Sequence, residues 1–152
     1  MKMLSWIVIA AAGVFLLTFS AARAEDPMVE RMRKGRTTLE SSCSKCHSVE
    51  KPLAKDVSRA EWDALLIKMT SRGAAVSMEE KGLIIDYLGA RHTFSSKCTV
   101  CHTREKVYDR EQTLAQWEKT VTEMAARQPG FVSAEEARAI IAYLTATLGS
   151  GE

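Results

Sequence analysis

The sequence is poor in the side chains that most often build catalytic centres. It has three histidines, at 47, 92 and 102, and four cysteines, at 43, 46, 98 and 101. No positioned acid/base pair stands out, so no catalytic residue is assigned. Beyond residue 24 there is no run of like charges and no low-complexity segment. No stretch sustains the apolar/polar alternation of a half-buried strand, which excludes a sheet-built fold. An excess of one charge is missing too. Lys2 and Arg23 fall in the N-terminal segment, and the following 128 residues hold 19 basic and 19 acidic side chains. Bulk charge therefore gives nucleic-acid binding no support.

Lys2, the apolar run Met3 to Phe19 and the small residues leading to Ala22-Arg23-Ala24 follow the order of a secretory signal peptide. Residues 1–24 are expected to be removed after Ala24, which places the chain in the periplasm, an oxidising compartment. The run is slightly short for a full membrane span. The alternative is a retained anchor, and with cleavage no stable membrane insertion is expected.

An internal repeat organises the remainder. Cys43-Ser-Lys-Cys46-His47 returns 55 residues later as Cys98-Thr-Val-Cys101-His102. Trp62 returns as Trp117 and Met69 as Met124 at the same offset. After one extra residue in the second copy, Ser77, Glu80, Ile84 and Tyr87-Leu88 match Ser133, Glu136, Ile140 and Tyr143-Leu144. Duplication of one unit explains such regular matches. The expected division is a first lobe over 25–92 and a second over 93–152.

Each copy reads as helical. Ser58-x-x-Glu61, Ser77-x-x-Glu80, Thr113-x-x-Gln116 and Ser133-x-x-Glu136 all fit the capping box, at equivalent places in the two copies. They predict helices over about 59–72, 78–91, 114–128 and 134–148, with Gly73 and Pro129-Gly130 as stops. A further helix over about 27–42 precedes the first cysteine motif and sets Met32, Leu39 and Cys43 along one side. Trp62, Leu65, Leu66 and Met69 share a face, repeated by Trp117, Val121 and Met124. The expected fold is all-α, two small tandem lobes. A unit of about 50 residues buries too little apolar surface to be comfortably stable by itself, so something else must fill each core.

The two C-x-x-C-H motifs supply the candidate. Two thiols at this spacing reach the two vinyl groups along one edge of a porphyrin, and the adjacent His lies beneath the iron. Cys43, Cys46 and His47 would attach one haem, and Cys98, Cys101 and His102 a second. Two disulfides would leave the identically placed histidines unexplained. A Cys₄ zinc site would have to bridge 51 residues between Cys46 and Cys98, far beyond ordinary zinc spacing. A thioredoxin-like motif needs a βαβ context.

Three histidines cannot supply two bis-His irons. Met69 and Met124 are the only methionines equivalent in both copies, each 22 residues after its His, and are the candidate sixth ligands. The competing role is packing, the usual one for Met on an apolar stripe. Met28, Met32 and Met78 have no counterpart, and His92 aligns with Leu148 at a helix end, where a surface role is expected.

Taken together, these residues resemble the class I cytochrome c family across the whole chain beyond the leader, as two tandem copies. In that family a small residue and an aromatic precede the first Cys by eight and four positions, where the first and last helices cross. Here the positions are Gly35 and Leu39 before Cys43, and Ala90 and Phe94 before Cys98. Leu39 and Ala90 depart from the pattern. Tyr87 and Tyr143 correspond to the aromatic of the last helix. The resemblance implies iron ligation by His47 and Met69 in one lobe and by His102 and Met124 in the other. It also implies electron transfer between redox partner proteins in place of enzymatic catalysis. An enzyme or a gas or peroxide sensor with one five-coordinate haem, and an accessory subunit wiring a larger oxidoreductase to a carrier, are the alternatives. Lys45 within the first motif, and Lys97 and Arg104 beside the second, are expected to be solvated.

The stretch from Met78 to Cys98 holds both the Tyr87-Leu88 that closes lobe one and the Ala90-x₃-Phe94-x₃-Cys98 that opens lobe two. One nearly continuous helix serving both lobes is the expectation, with Thr93, Ser95 and Ser96, mediocre helix formers, as the place for a kink.

Overall fold

The structure is a computed structural model and describes residues 25–149. The expected signal peptide and its cleavage point lie outside the described residues. Seven helices and no strand are found among the described residues: α1 (Pro27–Cys43), α2 (Glu50–Leu53), α3 (Arg59–Thr70), α4 (Met78–Cys98), α5 (Arg104–Tyr108), α6 (Leu114–Arg127) and α7 (Ala134–Leu148). None of them is long and apolar enough to cross a membrane.

All four capping boxes form, on α3, α4, α6 and α7. In each, the Ser or Thr oxygen accepts the N3 amide hydrogen while the N3 side chain accepts from the cap amide, so two otherwise orphaned donors are satisfied. α1 starts differently: the Asp26 carboxylate accepts from the amides of Met28 and Val29 at 2.8 and 3.2 Å, with Pro27 in the first turn. Gly73 and Gly130 follow α3 and α6 with φ of +96° and +83°, a left-handed conformation that glycine adopts without steric cost.

α4 runs unbroken for 21 residues. It is the continuous helix expected from the overlapping patterns, and the expected lobe boundary between residues 92 and 93 falls inside it. Around α4 the core assembles. α1, α4 and α7 pack against one another in all three pairs, α3 packs on α4 and α6 on α7. Ile84, Tyr87, Leu88, Ile140, Tyr143 and Leu144 are buried, as are Val29, Leu39, Trp62 and Trp117. Full burial of an apolar side chain of this size contributes about 1.5–3 kcal/mol.

The α1/α4 crossing is close enough to demand a glycine. A Cβ on Gly35 would lie 2.4 Å from the Leu83 carbonyl oxygen and 2.8 Å from Tyr87 Cβ. At the other crossing, of α4 with α7, Ala90 is buried and Phe94 and Tyr143 pack with ring centroids 5.8 Å apart. The repeat-related Tyr87 and Tyr143 meet each other at 5.4 Å. Tyr108 of α5 closes the cluster, its hydroxyl 2.6 Å from that of Tyr143. On the outside, Asp86 of α4 pairs with Arg31 of α1 and Arg59 of α3.

Candidate functional site

Both C-x-x-C-H motifs are delivered in the same way. Cys43 is the last residue of α1 and Cys98 the last of α4. After Cys43 the chain turns, with the amides of Cys46 and His47 both directed at the Cys43 carbonyl, 3.4 Å away. A short helix then follows each motif, α2 and α5. The first cysteine of each pair is half-buried and the second exposed, and all four are free thiols. Burial raises the thiol of Cys43 and pushes that of Cys98 up to about 11, so both are protonated at neutral pH. The two pairs are not gathered at one point. Among the described residues no three His, Cys, Asp or Glu side chains are grouped so that they could by themselves hold a metal ion.

His47 is half-buried, and its Nδ1 lies 3.0 Å from the Ser48 carbonyl oxygen. With Nδ1–H donating to that oxygen, the Nε2 lone pair is left free.

In the second lobe a cleft of about 530 Å³ brings together Cys98, Cys101, His102 and Met124. Pockets of about 300–1,000 Å³ are the usual size for small-molecule and cofactor sites. α4 supplies Cys98, the following turn Cys101 and His102, and α6 Met124. Phe94, Trp117, Val121, Ile140 and Leu144 form apolar walls. Trp117 is only 1% exposed, yet its indole Nε1 has no hydrogen-bond partner. A buried N–H of this kind costs stability unless an acceptor reaches it.

Met124 is 40% exposed, while Trp117 and Val121 on the same helix are buried. In the first lobe Met69 is half-buried on α3, beside buried Trp62 and Leu66. Neither methionine belongs to the packed core, so core packing does not account for their matching places in the two copies. Met32 is a core residue, and Met28 and Met78 are exposed.

The polar residues beside the motifs are more engaged than their sequence context suggests. Lys97 reaches Glu136 at 3.1 Å and the Phe131 carbonyl at 2.8 Å. Arg104 donates to the Ser95 hydroxyl at 2.9 Å and lies 3.7 Å from Asp56. His92 pairs with Asp56 at 2.8 Å. Burial pushes the Asp56 carboxyl up, but hydrogen bonds from Ser95 and His92 outweigh it and leave Asp56 below its ordinary range. Arg91, buried, donates to the Lys55 carbonyl at 2.9 Å. These contacts tie the loop before α3 to α4 and α5, and sequence reasoning did not find them. Residues 36 or more positions apart carry no local signal of contact.

The residues present fit a covalently attached haem in the second lobe. Cys98 and Cys101 line one cleft with His102 beside them, and apolar walls from Phe94, Trp117, Val121, Ile140 and Leu144 surround it. Comparison with protein-family models, with curated proteins and with solved structures finds no match.

Proposed function

We propose that this chain is an exported, periplasmic dihaem c-type cytochrome that carries electrons between redox partner proteins. The observation that carries the reading is the convergence of Cys98, Cys101, His102 and Met124 on one apolar cleft, in a chain whose first 24-residue leader and duplicated C-x-x-C-H motif point to the same chemistry.

When bound, each haem supplies a one-electron ferric/ferrous couple. The protein's own work is placement. The cysteine pairs would hold the cofactor by thioether bonds, with His47 and His102 supplying a ring nitrogen to the metal and Met69 and Met124 a thioether sulfur. Thioether ligation favours the reduced state relative to a second histidine. The apolar walls keep water from the site, and burial together with hydrogen bonding sets the potential of each lobe separately. The shared helix α4 leaves no flexible linker between the lobes, an arrangement suited to exchange between the two centres.

The test is a visible spectrum of protein matured with haem attached, oxidised and reduced, with and without carbon monoxide. Two low-spin haems with a methionine–iron charge-transfer band and no response to CO are expected. A high-spin fraction that binds CO would overturn the carrier reading in favour of catalysis or sensing at an open iron.

A further inference from the structure

Cations outnumber acids in the cleft of the second lobe, although the chain beyond residue 24 is balanced. Lys97, Lys106, Arg110 and Arg127 line it, and no Asp or Glu does. Lys97 is already held by Glu136 and the Phe131 carbonyl. Lys106, Arg110 and Arg127 take part in none of the ion pairs formed among the described residues.

The same three positions are cationic in the first copy. At the offset of 55 residues, Lys106 corresponds to Lys51, Arg110 to Lys55 and Arg127 to Arg72. These also form no ion pair among the described residues. Lys45, Arg59 and Lys68 were not kept through the duplication, corresponding to Val100, Leu114 and Glu123, while Arg36, kept as Arg91, is engaged with Glu40 in the first copy and with the Lys55 carbonyl in the second. Solubility alone does not require the same three places twice. A ligand carrying negative charge, bound once per lobe, does.

We propose that Lys106, Arg110 and Arg127 hold the two propionate carboxylates of the haem in the second lobe, and that Lys51, Lys55 and Arg72 do so in the first. The inference rests on the haem reading given above. A haem attached through its vinyl edge presents its two carboxylates at the opposite edge, ionised at neutral pH. Carboxylates drawn toward a largely apolar cleft need partners, and charge-assisted bonds from guanidinium and ammonium groups are the strongest available. The cations also keep the propionates ionised and, by their own charge, favour the reduced form of the nearby iron.

The experiment uses K106Q/R110Q in the full chain with both haems attached. Haem content is measured first, by alkaline pyridine spectra and mass. Fewer than two haems in the unaltered chain would overturn the haem reading itself. With two haems present, redox titration of the variant is expected to show one midpoint potential lowered and the other unmoved. The lowered one gains a pH dependence near neutrality as the released propionate titrates. K51Q/K55Q is expected to lower the other midpoint. R127Q, altered at an exposed helix end, gives the same readout if the double variant does not mature. Midpoints and pH profiles unchanged in all three two-haem variants would overturn the proposal. Unchanged midpoints with slower, salt-dependent reaction with an acidic redox protein would assign the cations to docking instead.

Discussion

At the α1/α4 crossing a single hydrogen atom separates a good fit from a clash. Gly35 lets the Leu83 carbonyl and the Tyr87 side chain come within 2.4 and 2.8 Å of where a Cβ would stand. Both neighbours belong to a helix and cannot move independently. Gly35→Ala is therefore expected to push the helices apart and cost about 1–3 kcal/mol, the usual range for overpacking, read as a lowered urea midpoint of the haem-loaded protein. The methionines are tested at the same scale. Met124→Ala removes a side chain that is 40% exposed and outside the packed core, so little loss of stability follows. Its expected signature is spectroscopic: half of the methionine–iron charge-transfer band disappears and CO binds to one of the two haems. Met69→Ala is expected to do the same for the other. A spectrum untouched by either substitution would make that methionine a bystander.

The elements owe their boundaries to local chemistry. Four capping boxes start four helices, and each aligns two backbone donors that the helix itself cannot satisfy. Thr113→Ala at the head of α6 removes the oxygen that accepts the Gln116 amide. A loss of about 1 kcal/mol is expected, measurable by thermal unfolding, and α6 carries Met124 into the cleft, so the same variant is expected to loosen the placement of Met124. α2 and α5, by contrast, have four and five residues. Neither is long enough to show a helical period, and neither has a side-chain cap, which is why nothing in the sequence announced them. α4 was legible as one element only because two patterns overlapped in it: the closing Tyr87-Leu88 and the opening Ala90, Phe94 and Cys98.

For the molecule as a whole, the two copies are held together by α1, α4 and α7 packing in every pair, by the Tyr87–Tyr143 contact and by Asp56. That carboxylate, on the loop before α3, pairs with His92 of α4 and lies near Arg104 of α5. Its folded-state pKa is depressed by hydrogen bonds from Ser95 and His92 that outweigh the upward push of burial. A depressed carboxyl adds stability above its unfolded value of about 3.9, and that stability is lost as pH falls through the folded value. Glu136 is depressed by its capping bonds and by Lys97 and acts in the same direction. Unfolding followed across the acid range is thus expected to show stability falling below about pH 4, and Asp56→Asn is expected to flatten part of that fall. An identical acid limb in the variant would remove Asp56 from the account.

Local information sufficed for whatever depends on neighbours along the chain. The helical class, the four capped starts, the glycine stops and the buried faces through Trp62, Tyr87, Trp117 and Tyr143 follow from spacing, because helical contacts are three and four residues apart. The cysteine motifs were legible for the same reason, as five consecutive residues repeated once. Only the tertiary structure decided which distant groups meet. It brought Met124 of α6 to the cleft of Cys98, Cys101 and His102 and left the buried Trp117 N–H without a partner. It turned Lys106, Arg110 and Arg127 toward the same cleft and engaged Lys97 and Arg104 in internal contacts. Those outcomes depend on how helices cross and which faces they bury against each other, and a crossing at Gly35 or a pairing across 36 residues leaves no periodic trace in the order of the amino acids.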